Sequence, residues 1–429
     1  MISLSYQLKT ISPEQNDSFV NGHKKEHFMQ LSLWGKVKST GDWKDELLGL
    51  FSGDELVGTV MLLHRKIPFI GGYLYYAPRG FVVDFDDFSL VEAFTKEIYK
   101  YLKSKNAVYL LIDPDYYYRV LDKYENEVSS ELDFVSKMEK LGYKHRGFTQ
   151  GFDGSQPRCT FRLNLSGELD DIFGNFDRYA KKAIKQSEDN CIEVFPSTDF
   201  DTYAEIMKET ALRDGFIENQ IDYYKNVYDT LHPHGYCELL MSKYFPDRHL
   251  NALTGQLKSA EKEIQSAKER VEAKPTAKAQ TALKQANEKY ERLVKIRNEA
   301  EENLKKYPDG IVLSTGLNIN SKNRGWTVFG GSRDIFRSYN ANYAITYAAI
   351  KRFHSAGMEF MDFFGTIPNP TEDHPLFGIH RFKQKFSGNY IEFPGEFHLV
   401  FNKAKYFIWI KLYPKLSKLI KKIIRKLRK

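Results

Sequence analysis

Residues 310–363 read GIVLSTGLNINSKNRGWTVFGGSRDIFRSYNANYAITYAAIKRFHSAGMEFMDF. Gly310–Leu317 and Trp326–Gly330 predict two strands, bounded by Gly, Asn and Ser. Asn340–Ala356 predicts a helix that Gly357 stops, and Phe360–Phe363 predicts the next strand. Two strands, a helix and a further strand form the end of an α/β unit.

The same kind of reading extends upstream. Cys159–Leu165 alternates as a strand, Asp170–Ser187 reads as a helix and Cys191–Phe195 as a strand. Ser197–Gly215 and Asn219–Leu231 read as helices, and Tyr236–Met241 as a strand. Nearer the N-terminus a similar order occurs once before. Glu55–Asp84 holds strands broken at Gly71-Gly72 and turned at Ala77-Pro78-Arg79-Gly80. Ser89–Lys103 follows with helical spacing, then the apolar strand Ala107–Ile112, which stops at Asp113-Pro114-Asp115. Glu131–Leu141 is a further helix, closed by Gly142. Two successive mixed α/β units with one element order predict a structural duplication.

The second unit is interrupted. Leu250, Leu253, Leu257, Ala260, Ile264, Ala267 and Val271 step by three and four, and Ala279, Leu283, Ala286, Tyr290, Leu293, Ile296, Ala300 and Leu304 do much the same after Pro275. Polar residues fill the remaining positions. The pattern predicts an antiparallel helical hairpin with a coiled-coil seam, each arm roughly 36 Å long for about 24 residues. The expected organisation is therefore 1–155 for the first unit, 156–245 with 309–398 for the second, 246–308 for the coiled-coil arm and 399–429 for a basic tail.

Charge separates the tail from the body. Net charge is +7, yet 397–429 holds eleven Lys and Arg and no Asp or Glu, so residues 1–396 sum to 7 − 11 = −4. The body is thus no general nucleic-acid coat. In 406–429, Leu412, Leu416, Leu419, Ile420, Ile423, Ile424 and Leu427 form one stripe and lysines and arginines the other, with Pro414 near the start. This predicts an interfacial helix for an anionic membrane surface. No stretch of 18 apolar residues and no secretory signal pattern occur, which predicts a cytoplasmic chain, peripheral at the inner face of the membrane. Cys159, Cys191 and Cys237 lack metal or redox spacing, and His232-Pro233-His234 lacks a third ligand, so no metal is expected; no Gly-rich pyrophosphate loop of the coenzyme-A kind occurs, and no cofactor is expected.

Several strings then acquire a family meaning. They are Gly330-Gly331-Ser332, Phe336-Arg337, Asn340-Ala341-Asn342-Tyr343, Met361-Asp362-Phe363-Phe364-Gly365-Thr366, Gly378-Ile379-His380-Arg381-Phe382-Lys383-Gln384-Lys385-Phe386 and Tyr390-Ile391-Glu392-Phe393-Pro394-Gly395-Glu396. With Trp34-Gly35-Lys36-Val37-Lys38, Tyr76-Ala77-Pro78-Arg79-Gly80, Ile112-Asp113-Pro114 and Gln156-Pro157-Arg158, the chain resembles the FemABX family of peptidoglycan bridge-forming aminoacyltransferases over nearly its whole length. Phe81 departs from the family's Pro at that turn.

The resemblance implies an α/β fold of two acetyltransferase-like (GNAT) domains facing a cleft, with the hairpin inserted. It implies transfer of glycine, alanine or serine from aminoacyl-tRNA to the stem-peptide amine of lipid II or of UDP-MurNAc-pentapeptide. Lys383 takes the position of the family's active-site lysine, beside Phe382, and Asp113 that of an aspartate near the acceptor. Lys36 and Arg79 fall in matched acceptor-side segments. The family's loop arginine is replaced by Asn219, with Arg213 six residues earlier. Arg178, Lys181, Lys182 and Lys185 share a helix face suited to tRNA phosphates. Rival readings are an acyl-CoA N-acyltransferase of the same fold, a non-catalytic membrane scaffold, and a transferase that tags protein N-termini.

Overall fold

The computed structural model describes residues 5–368 and 370–414. A seven-stranded sheet runs in the order Tyr6–Thr10, Lys44–Ser52, Glu55–Lys66, Tyr73–Ala77, Ala107–Ile112, Phe397–Val400 and Tyr143–His145. A nine-stranded sheet runs Ile192–Pro196, Cys237–Tyr244, Ile311–Asn320, Arg324–Ser332, Phe360–Thr366, Cys159–Asn164, Asn389–Glu392, Arg119–Leu121 and Glu127–Ser130.

The duplication is visible in the connections. In each unit an edge strand leads through two helices into three antiparallel strands. These helices are Pro13–Gly22 and Ser32–Lys38 in the first unit, and Phe200–Asp214 and Ile221–Leu231 in the second. A crossover helix, Phe88–Ser104 or Ala341–Ser355, then delivers a parallel strand. Alternation along the strands builds two layers from one sheet. In Glu55–Lys66, Val60 and Leu62 join the outer core, whereas Met61 and Leu63 join a central core. That central core also takes Leu239, Met241, Leu317, Ile319 and Trp326 from the second sheet, with Phe28, Trp34, Tyr203 and Tyr224 from the inner helices. The two units are therefore closed on each other by one apolar layer.

Two segments cross the boundaries expected at 155 and 398. Arg119–Leu121 pairs with Asn389–Glu392 in the second sheet. Phe397–Val400 slots between Ala107–Ile112 and Tyr143–His145 in the first, with Leu399 opposite Leu110. Short strands between loops carry too little pattern to reveal their sheet. The single helix expected over Asp170–Ser187 is two, Leu169–Gly174 and Arg178–Asp189, because the Asp177 side chain caps the second by accepting from Tyr179 N.

The hairpin is formed by Pro246–Ala273 and Ala277–Lys306 and is sealed by Leu253, Ala260, Leu293 and Ala300. It stands where the first unit has only the tight turn between Lys44–Ser52 and Glu55–Lys66. Strand pairing at its base, Tyr244 opposite Ile311, does not depend on the arm. Replacing 250–304 by a short turn is expected to leave the thermal midpoint of the body unchanged in calorimetry.

The tail begins differently from the expected 399–429 helix. After the strand, Asn402 accepts from Lys405 N and starts the helix Lys403–Phe407, which passes into a π-turn at Ile408–Leu412, all ahead of Pro414. The stripe over 415–429 lies outside the described residues. Among the described residues no helix is long and apolar enough to cross a membrane.

Candidate active site between the two sheets

A cavity of about 440 Å³ opens between the units. The first sheet contributes Leu63, Arg65, Leu74, Tyr76, Tyr109 and Leu111, and the second contributes Val328, Phe329 and Phe364. Inner helices supply Trp34, Lys38 and Tyr223, and the C-terminal helix supplies Trp409. The walls combine aromatic rings with polar and charged groups, among them Lys38, Arg65, Ser155 and Gln156, which can fix the orientation of a ligand.

Lys383 lies behind the cavity residue Phe364 and is not itself among the residues that line the cavity. The strand Phe360–Thr366 breaks register between Asp362 and Gly365, and Phe364 there takes a left-handed backbone (φ 57°). The break is held by Asp362, whose Oδ1 accepts from Phe364 N at 2.7 Å and from the Thr160 hydroxyl. It exposes two carbonyls to Lys383 Nζ, which donates to Phe364 O (2.9 Å) and Gly365 O (2.6 Å). A side chain at Gly365 would meet Pro157 at 2.4 Å, so only glycine lets Gln156-Pro157-Arg158 lie against this bend. Burial of the Lys383 amine pulls its pKa down to about 8, with Asp362 opposing.

Asp113 directly follows the strand Ala107–Ile112 of the facing sheet and is buried, outside the residues that line the cavity. Its Oδ2 accepts from the Tyr76 hydroxyl at 2.9 Å and its Oδ1 from Arg79 N at 2.7 Å. Burial raises its pKa to about 7, against the pull of Arg79. Tyr76 stands between Asp113 and the cavity, and Gln156 Nε2 donates to the same hydroxyl at 3.3 Å. Asp113 therefore addresses the cavity through Tyr76. The Arg79 side chain is buried: it donates to Pro157 O at 2.6 Å and lies over Phe393. It staples the two units together and does not line the cavity.

Other expected residues fall elsewhere. Phe382 packs into the outer core of the second sheet against Tyr343 and Phe386, so it is a packing position. Lys36 is exposed on the helix Ser32–Lys38. Lys38 is the lysine on the Trp34 face, because residues four apart share a helix face and residues two apart do not. It lies over Trp34 and Tyr223, and burial lowers its pKa. Arg213 is spent on Ser332 O (2.8 Å), Asp334 and Asp214, locking its helix end to a strand end, and Asn219 N donates to the Tyr224 hydroxyl. Neither is among the cavity residues. The second cation of the cavity is Arg65, which sequence reading passed over; it stacks on Trp43 at 4.7 Å and has no acidic partner within 4.0 Å among the described residues. Its position two residues after Leu63, on the same face of the strand, was the available signal.

On the basic helix Arg178–Asp189, Arg178, Lys182 and Lys185 are exposed. Lys181 instead donates to Gly174 O at 2.8 Å. The helix starts beside the one that carries Lys383: Asp177 N donates to Lys385 O at 2.9 Å, and Lys385 Nζ lies 3.7 Å from the Tyr179 ring.

Two α/β units of one element order share one cavity, with a carboxyl-backed tyrosine on one wall and a lysine amine behind the other, and this defines a duplicated two-unit scaffold with a single site. The FemAB family model matches residues 11–413, and the chain belongs to that family. It is 30% identical over 422 residues to a lipid II:glycine glycyltransferase of Staphylococcus haemolyticus, covering 97% of this chain and 98% of the relative. The corresponding protein of Staphylococcus aureus strain MSSA476 is 29% identical over 425 residues, covering 98% and 99%. The crystal structure of FemX superposes with a TM-score of 0.78 at 27% identity, covering 94% of this chain and 99% of that one.

Proposed function

We propose that this chain transfers an amino acid from aminoacyl-tRNA to the stem-peptide amine of lipid II or its nucleotide-linked precursor, a step in building the peptidoglycan bridge. The observation that carries the reading is the shared cavity, with Lys383 behind one wall and Tyr76–Asp113 on the other. The names of the staphylococcal relatives support lipid II as acceptor and make glycine the first amino acid to test.

In this reaction the acceptor nitrogen attacks the ester carbonyl carbon, a C–N bond forms and the bond to the ribose oxygen breaks. The proton leaves the attacking amine and ends on that ribose oxygen. Tyr76 is suited to take and return it, because Asp113 behind it accepts the hydroxyl proton in a dry setting. The Lys383 ammonium, already aimed into the Phe364–Gly365 bend, is suited to stabilise the oxyanion. Arg178, Lys182 and Lys185 extend from that neighbourhood as a track for tRNA phosphates, so binding is expected to weaken with salt.

Lys38 and Arg65 stand at the acceptor side as two cations for its diphosphate. The Arg65 guanidinium, held flat by Trp43, offers a paired donor edge that a lysine cannot. Arg65→Ala and Lys38→Ala are each expected to raise KM for lipid II about tenfold, with a smaller change in kcat. Lys36→Ala is expected to leave both unchanged in the same assay.

The direct test mixes purified protein, lipid II and tRNA charged with labelled glycine, alanine or serine, and reads the stem peptide by mass spectrometry. A tRNA-dependent mass gain names the reaction and the amino acid. No gain on lipid II, on lipid II already extended once, or on the nucleotide precursor would remove this reading.

A further inference from the structure

The turn between Glu55–Lys66 and Tyr73–Ala77 carries Phe69 at its tip. The side chain is 96% exposed and its backbone is left-handed (φ 64°). A phenylalanine held in that conformation and offered wholly to water contributes nothing to the core. The turn itself is ordered: Ile67 N donates to Gly72 O and Gly71 N to Ile67 O, and Ile70 packs into the central core.

The C-terminal helix lies beside it. Lys405 Nζ is 3.8 Å from the point where a side chain at Gly71 would begin. Trp409 and Ile410 pack on the same core as Ile70, while Phe407, Ile408 and Leu412 remain exposed. Lys66, Lys403 and Lys411 are exposed in these same two segments, and no Asp or Glu occurs from 397 onward. Apolar tips thus share one region with cations that have no acidic partner among the described residues, and Trp409 makes that region a rim of the cavity.

We propose that the Phe69 turn and the helix Lys403–Phe407 with its π-turn form a docking face for an anionic bilayer. Phe69 enters the boundary between headgroups and acyl chains, and the lysines meet lipid phosphates. The charge of the face selects the occupant, since a bilayer surface rich in acidic lipid supplies what this end of the chain lacks. The cavity mouth then opens toward the membrane. That orientation serves the lipid-linked acceptor of the preceding section and in this respect rests on that reading; the lipid contact itself does not.

The test is sedimentation of the full chain with phosphatidylcholine vesicles, with and without phosphatidylglycerol, at physiological salt. Binding is expected only with phosphatidylglycerol. Phe69→Asp is expected to weaken it about tenfold and Phe69→Leu to preserve most of it. Circular dichroism checks that both variants are folded. With a charged tRNA, Phe69→Asp is expected to retain turnover on the soluble nucleotide-linked acceptor and to lose it on lipid II in vesicles. Equal vesicle binding by Phe69→Asp and the unsubstituted chain would overturn the docking face, even if lipid II is a substrate. Phe69-dependent vesicle binding by a chain that transfers nothing would sustain the docking face and remove the transferase reading instead. A second copy or an acidic protein partner as occupant predicts self-association or no lipid selectivity, and either result counts against the proposal.

Discussion

Lys383→Met is expected to lower kcat/KM for aminoacyl transfer by about a hundredfold to a thousandfold, the usual effect of removing one oxyanion donor. The variant is expected to bind lipid II as before, because Lys38 and Arg65 are untouched. Methionine keeps the length of the side chain and removes the charge. The size of the stability change separates catalysis from structure. Burial lowers the Lys383 pKa to about 8, below the ordinary value near 10.4. The native state therefore carries the ammonium at a cost below pH 8, and that cost fades as pH rises from 8 toward 10.4. Methionine removes that cost but leaves the Phe364 and Gly365 carbonyls without their donor, so the two effects oppose each other and the thermal midpoint at pH 7 is expected to change little while activity falls. A residue kept for stability would give the opposite result. The pH profile adds a second reading. In the proposed relay Asp113, raised to about 7, must ionise to accept the proton passed on by Tyr76, and Lys383 must stay protonated. kcat/KM is thus expected to climb toward pH 7 and decline above 8, with Lys383→Met losing the alkaline limb and Asp113→Asn the acid limb. Both limbs unchanged in the two variants would remove these residues from the chemistry.

Much of the fold was legible because each unit is built from long periodic segments. The hairpin seam, the crossover helix ended by Gly357 and the strand Ala107–Ile112 each carry enough repeats to specify their own type. Sheet membership was not legible. Arg119–Leu121, Asn389–Glu392 and Phe397–Val400 are three or four residues long, and their partners lie up to hundreds of positions away. The site divides in the same way. Lys383 and Asp113 stand in local strings, Phe-Lys and Asp-Pro, and both lie close to the cavity. Lys36 was preferred to Lys38 because a string was read without its helix; the Trp-x-x-x-Lys spacing itself selects the residue on the tryptophan's face. Arg213 looked available because its partners, Ser332 and Asp334, follow it by more than a hundred residues. Arg65 stands in no motif, and only the facing sheet gives it a role.

Asp115→Asn is expected to destabilise the protein by about 3 kcal/mol, more than any change in the cavity itself. Arg162, on the second sheet, donates from Nη1 to Asp115 Oδ1 at 2.9 Å and forms a second bond from Nη2 to Oδ2. Its Nε donates to Asp362 Oδ2 at 2.7 Å, and its Nη1 also to the Tyr117 hydroxyl at 3.1 Å. All three charged groups are buried. The desolvation cost of the set is met only while every member is present, so removing one carboxylate strands a guanidinium in a dry interior. Burial alone would raise the Asp115 pKa, yet Arg162 overrides it and holds the carboxyl far below the usual range. The stabilisation is therefore complete above the ordinary aspartate pKa, near 4, and is lost as pH falls below it. Urea midpoints measured between pH 7 and 3 are expected to fall less steeply at the acid end for Asp115→Asn than for the unsubstituted chain. Equal slopes would show that the pair is not the acid-sensitive element. The consequence reaches the site because of where the bonds run. Asp115 ends the segment that carries Asp113, Asp362 holds the bend that presents Phe364 and Gly365 to Lys383, and Arg162 ties the two together. A substitution that leaves every cavity residue in place is thus expected to lower kcat as well, by letting the two walls drift apart by a fraction of a bond length.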